Sequence, residues 1–158
     1  MALATGDTAP SFTLPDHDGD SFSLEDAAGS PMVVFFYPKD NTSGCTTEAK
    51  DFTALLPEFE AAGVAVVGIS PDSVKSHAGF RRKQDLGVRL LSDEDKTVSE
   101  AYGVWQEKGM YGRKFMGIVR STFLIAADGS VAEAWYRVRV PGHAAKVLDA
   151  ARALATPE

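Results

Sequence analysis

A second cysteine is the first thing this sequence lacks. Among 158 residues only Cys45 carries a thiol, which excludes an intrachain disulfide, a cysteine-rich zinc site and a C-x-x-C dithiol pair. Histidine is almost as scarce. His17, His77 and His143 are far apart in the sequence and show no metal-ligand spacing, so they read as structural or surface residues. Long hydrophobic runs are missing too, and no stretch approaches the ~20 apolar residues of a membrane-spanning helix. The opening Met1-Ala2-Leu3-Ala4-Thr5-Gly6-Asp7 lacks the basic region and apolar core of a signal peptide, so the expected location is cytoplasmic. Nor is there an excess of positive charge. With 16 Lys and Arg against 22 Asp and Glu the net charge is -6, which argues against general binding to nucleic acid or an anionic membrane. What is present, 44% hydrophobic and 24% charged residues, excludes a disordered chain. The length suits a single domain over 1–158 with a real core.

Hydrophobic patterning gives the order of elements. Ser11-Phe12-Thr13-Leu14 and Ser21-Phe22-Ser23-Leu24 alternate around the turn cluster Pro15-Asp16-His17-Asp18-Gly19-Asp20, which predicts an N-terminal β-hairpin. Continuous apolar runs at 33–37 and 64–70 predict strands buried on both faces. Between them Phe52, Leu55, Leu56 and Phe59 recur at helical spacing over 45–62, with Pro57 expected to kink or divide the helix. Asp72 and Ser73 start a second helix carrying Val74, His77, Phe80 and Arg81 on one side. A short strand at 88–91, a short helix at 96–102, and strands at 122–126 and 131–140 joined by Asp128-Gly129 follow. Ala144, Val147, Leu148, Ala151 and Leu154 have the spacing of a closing amphipathic helix. Alternating strands and helices that finish on a hairpin predict an α/β fold with a central mixed sheet flanked by helices.

Cys45 stands just after a buried strand and at the start of a helix. Unpaired N–H groups and partial positive charge at a helix N-terminus favour a thiolate over a thiol, and the thiolate is the nucleophile. Thr42, three residues earlier, could donate to the sulfur or accept from the O–H of a bound molecule. Pro38 would stiffen the loop. A lone cysteine is also commonly a small buried hydrophobe, and the flanking Gly44 and Thr46 leave both readings open.

The string Phe36-Tyr37-Pro38-Lys39-Asp40-Asn41-Thr42-Ser43-Gly44-Cys45-Thr46 resembles the active-site loop of peroxiredoxins, in particular the bacterioferritin comigratory protein (peroxiredoxin Q) branch. The resemblance runs through Gly6-Asp7-x-Ala9-Pro10-x-Phe12-x-Leu14, Val67-Gly68-Ile69-Ser70-Pro71-Asp72, Leu91-Ser92-Asp93, Tyr111-Gly112 and Gly117-Ile118-Val119-Arg120-Ser121-Thr122-Phe123-Leu124-Ile125. It implies a thioredoxin-like fold and an antioxidant thiol peroxidase without metal or organic cofactor. In it Cys45 takes the terminal oxygen of hydrogen peroxide or an organic hydroperoxide and becomes a sulfenic acid. By motif match Arg120 would stabilise the thiolate and hold the peroxide, Thr42 would align it, and Pro38 would shield the pocket. Glu48 and Gly44 would support the loop. Without the resemblance nothing selects Arg120 from the other arginines.

The sequence departs from that branch in two places. Many members carry a resolving cysteine five positions after the first, where this chain has Lys50. Residues five apart in a regular helix are about 7.5 Å apart along the axis, beyond the ~7 Å Cα limit of a disulfide, so members with the pair must unwind the helix. This chain has no such step, and the expectation is a one-cysteine enzyme reduced by thioredoxin, glutaredoxin or a small thiol. Ser43 replaces a usual proline, which would leave the loop somewhat more flexible. Lys50 itself reads as a solvated helix lysine. Tyr37, Trp105 and Phe115 could line a pocket but read as core. Arg81-Arg82-Lys83 reads as a solvated face, and Arg137 and Arg139 as the wet side of a strand whose other side is Val138 and Val140. No exposed apolar strand or heptad is evident, so the expectation is a monomer. The alternative from another class is a non-enzymatic thiol redox sensor on the same fold.

Overall fold

The apolar run at 33–37 becomes the middle strand of the sheet because its side chains are wanted on both faces. In the computed structural model, which describes residues 3–27 and 29–155, β1 (Thr13–Pro15) and β2 (Ser21–Ser23) form the expected hairpin and lead through a 3-10 turn (Leu24–Ala27) to β3 (Met32–Phe36). Next come α1 (Ser43–Ala61), β4 (Ala65–Ser70), α2 (Val74–Gln84), β5 (Arg89–Ser92) and α3 (Thr97–Ala101). The chain then forms β6 (Trp105–Met110), β7 (Arg113–Ile118), β8 (Ser121–Ile125), β9 (Val131–Tyr136) and α4 (His143–Ala155). Met1 and Ala2, which open the stretch read against a signal peptide, and both ends of the span read as one domain lie outside the described residues.

The five-stranded sheet has the order β5-β4-β3-β8-β9, with β3, β4 and β5 parallel and β8 and β9 antiparallel. Alternation along β3 divides the core in two. Val33, Phe35 and Tyr37 join Phe52 and Phe59 of α1, Phe80 of α2 and Val147 of α4, while Val34 and Phe36 face Phe22, Val98 and Tyr102. Gly68 is required by this packing: a Cβ there would lie 2.6 Å from Phe35 Cζ. No helix among the described residues is long and apolar enough to cross a membrane.

Several boundaries differ from expectation. Pro57 does not divide α1; Phe52 and Phe59, both fully buried on either side of it, anchor the helix to one core, so packing outweighs the lost hydrogen bond. The strand expected over 131–140 ends at Tyr136, because Arg137 takes a left-handed φ of 53° and turns the backbone away. Beyond the strand Arg137 and Arg139 are exposed as expected, but Val138 and Val140 are half-buried and not buried. A hairpin of β6 and β7 stands where no strand was expected. Its turn, Tyr111 and Gly112 with φ of 53° and 77°, has the positive angles of a tight hairpin, but β6 carries Gln106, Glu107 and Lys108 in its middle and β7 opens on Arg113 and Lys114, so the apolar stretch from Phe115 fills only its second half. Phe115, read as core, is 45% exposed on this hairpin. Arg81 is not simply solvated: Nε donates to the Val88 carbonyl at 2.9 Å.

Candidate active site

Sheet register brings the distant residues together. Phe36, the last residue of β3, pairs with Ser121, the first of β8, so Arg120 lies at the sheet end where the chain leaves β3 for the loop and α1. The Val138 N–H donates to the Arg120 carbonyl at 3.0 Å and fixes its backbone. Cys45 occupies the first turn of α1 and is 2% exposed.

The geometry at the sulfur is a bridge. Arg120 Nη2 donates to Cys45 Sγ at 3.2 Å, and Nη1 donates to Glu48 Oε1 at 2.6 Å. Cys45 and Glu48 stand three apart in α1 and therefore share one helix face, which lets one planar guanidinium reach both. Burial lifts the Glu48 pKa to about 7, outweighing the Arg120 charge and hydrogen bond that lower it. Its second oxygen, Oε2, is buried without a hydrogen-bond partner. Burial also works against the Arg120 charge, yet Glu48 and Cys45 beside it hold its pKa above the ordinary arginine value.

Gly44 completes this contact by what it omits. A Cβ there would lie 3.2 Å from Arg120 Nη2, so any side chain would press on the group that holds the sulfur. Thr42 takes the N-cap position of α1 but makes no side-chain capping bond. Its Oγ1 donates to the Lys39 carbonyl at 2.9 Å and not to the sulfur. With the hydroxyl proton engaged, Oγ1 offers only acceptor capacity. Pro38 is half-buried two residues beyond β3, and Lys50 is exposed.

The loop rests on a buried polar network that sequence spacing did not reveal. Asp40 Oδ1 accepts from Tyr37 Oη at 2.6 Å, and Oδ2 accepts from Ser76 Oγ at 2.8 Å and lies 2.8 Å from His77 Nδ1. His77 Nε2 faces the Leu91 carbonyl at 2.9 Å, so that nitrogen carries a proton. The Asp40 N–H donates to Asp72 Oδ2 at 2.8 Å, which also accepts from Ser70 Oγ at 2.6 Å. Burial, then the Asp40 charge, holds the Tyr37 pKa well above its usual value and keeps it a donor. Asp40, Asp72 and His77 thus meet although their spacing predicts no cluster; Asp40 Oδ2 faces His77 Nδ1, while Asp72 Oδ2 accepts from the Asp40 N–H and Ser70 Oγ. The signal available in sequence was Asp40 itself, a carboxylate between Pro38 and Thr42. His17 and His143 are also buried; His143 Nε2 lies 2.8 Å from Thr122 Oγ1.

Comparison with known proteins shows the family of the chain. Residues 5–134 match the AhpC/TSA family. The chain is 47% identical over 148 residues to the putative peroxiredoxin bcp of Coxiella burnetii, covering 94% of this chain and 98% of that protein. Among solved structures it resembles the bacterioferritin comigratory protein of Xanthomonas campestris, studied for its alkyl peroxide reduction activity, at TM-score 0.88, 48% identity and 92% of each chain. It also resembles a cysteine-to-serine mutant of Xylella fastidiosa PrxQ at TM-score 0.93, 41% identity and 99% of each chain.

Proposed function

Because the chain belongs to the AhpC/TSA family, and its relatives are Bcp and peroxiredoxin Q proteins, we propose that it is a thiol peroxidase that reduces hydrogen peroxide and organic hydroperoxides through Cys45. The observation that carries this reading is the Arg120 guanidinium bridging the Cys45 sulfur and Glu48 in a nearly closed site.

The Cys45 thiolate attacks the terminal peroxide oxygen. The O–O bond breaks, that oxygen stays on sulfur as a sulfenic acid, and the other leaves as water or an alcohol once protonated. Arg120 Nη2, already on the sulfur, follows the charge as it moves to the leaving oxygen. Thr42 Oγ1, its proton spent on Lys39, accepts the peroxide O–H and orients the molecule. Pro38 limits water around the loop.

Regeneration uses an outside thiol. The chain has no second cysteine and carries exposed Lys50 on α1 five positions beyond Cys45. A thiol R–SH therefore attacks the sulfenic acid, forming an S–S bond to Cys45 and releasing water. A second R–SH displaces the Cys45 thiol and leaves as RS–SR. The test is steady-state peroxide consumption with excess dithiothreitol. Cys45→Ser abolishes turnover and Thr42→Val lowers it severely; turnover retained by Cys45→Ser overturns the reading.

A further inference from the structure

The chain is acidic overall, yet the surface beside Arg120 is not. Two adjoining hollows, of about 410 and 600 Å³, share Arg137 and Val138 on their walls. The first is bounded by β6 and includes Arg120 itself; the second reaches the start of α4. Together they are lined by five cations, Lys108, Arg120, Arg137, Arg139 and Lys146, against one carboxylate, Glu107. Glu107 lies 3.6 Å from Lys114. His143, at the floor of the second hollow, adds no charge at neutral pH, since burial, then Lys146 and Arg120, lower its pKa to about 4.

Three of these cations are uncommitted. Arg137, Arg139 and Lys146 are exposed and form none of the ion pairs found among the described residues. Arg137 is held in its left-handed conformation at the end of β9, next to the residue that bonds the Arg120 backbone. Clustered unpaired cations on a chain of net charge -6 focus a positive potential at one place. Each hollow has the volume of a small-molecule site. Cys45, whose sulfur Arg120 holds at 3.2 Å, is 2% exposed, which favours a small attacking thiol over one presented by a folded protein.

We propose that this groove binds the carboxylates of a low-molecular-weight anionic thiol and delivers its sulfur to oxidised Cys45. The proposal rests on the reading of Cys45 as the peroxide-reacting sulfur and names the class of reductant for it. Carboxylates on Arg137, Arg139 and Lys146 hold the thiol beside Arg120. Its sulfur then bonds Cys45 Sγ as the sulfenic oxygen leaves as water, and a second molecule of the same thiol releases the reduced enzyme.

Two measurements test it. In the first, the protein is titrated with (methylthio)succinate, a dicarboxylate with no thiol, and backbone amide shifts are followed by NMR. Saturable shifts centred on residues 137–139 are expected, lost in the Arg137→Gln, Arg139→Gln, Lys146→Gln triple variant and weakened by 0.3 M salt. No saturable shift there overturns the groove whether or not Cys45 reacts with peroxide. In the second, oxidised protein is mixed with mercaptosuccinate, 2-mercaptoethanol or cysteamine at equal thiolate concentration, with the peroxide step timed separately in each protein. Mercaptosuccinate is expected to react at least fivefold faster than 2-mercaptoethanol, with cysteamine slowest, and the triple variant to erase the ranking. Equal rates for the three thiols in the unmodified protein overturn the proposal, whereas failure of peroxide to oxidise Cys45 overturns the peroxidase reading alone.

Discussion

Arg120 donates one nitrogen to Cys45 Sγ at 3.2 Å and the other to Glu48 Oε1 at 2.6 Å, so the position of the cation at the sulfur is set by a carboxyl one helical turn away. Glu48 is 1% exposed and Arg120 17% exposed, which places the pair where solvent screens it little.

Replacing Arg120 separates its charge from its shape. Arg120→Gln removes the cation at the reacting atoms and is expected to slow Cys45 oxidation by roughly a hundredfold or more, the scale for losing a donor aimed at developing charge. Arg120→Lys keeps the charge but cannot span two partners with one planar group, so it recovers only part of the rate. Rapid-mixing oxidation by hydrogen peroxide checks both variants.

Gly44→Ala is expected to lower the oxidation rate several-fold without lowering the melting temperature. Its Cβ falls 3.2 Å from Arg120 Nη2 and shifts the guanidinium, while alanine is the better helix former. Calorimetry beside the rate measurement separates this from a general loss of folding.

Glu48 ties stability to pH. Its folded pKa of about 7 lies above the ordinary 4.5, so the folded state holds a proton that the unfolded state has released. The associated stability is present below 4.5 and is lost as pH rises through 7, a change on the order of 3 kcal/mol. Glu48→Gln cannot titrate and still accepts from Arg120. Denaturant unfolding at pH 5 and pH 8 is expected to show the Gln variant gaining on the unmodified protein at the higher pH.

Asp40 supports the loop from beneath. Asp40→Asn turns one acceptor oxygen into an NH2 donor, so Tyr37 Oη and Ser76 Oγ must share one acceptor, and leaving a buried polar group unsatisfied costs about 3 kcal/mol. The expected fall in melting temperature is on the order of 10 °C, with slower peroxide oxidation as the loop loses its support.

The strands and helices that carry Cys45 were legible because their side chains obey a period. Val33 to Tyr37 had to be buried, and Phe52 and Phe59 had to face a sheet. The β6 and β7 hairpin was not, since Gln106, Glu107 and Lys108 face Phe115, Met116 and Gly117 across it and the polar middle of β6 breaks the strand pattern. Cys45 was selected by its place at a helix start and by the loop's resemblance to a family. Arg120 was selected by resemblance alone, because only the pairing of Phe36 with Ser121 brings it 75 residues back to the sulfur. Asp40, His77 and Asp72 show the same limit: each is ordinary in its own segment, and their hydrogen bonds exist only after β3, α2 and β5 have packed.

The most direct test of the account is stopped-flow oxidation of the reduced protein by hydrogen peroxide, followed by Trp105 and Trp135 fluorescence and by intact mass. The account predicts a fast second-order reaction that consumes one peroxide per chain and adds one oxygen at Cys45. A rate no greater than that of a free thiol would contradict it and favour a slow redox sensor on the same fold.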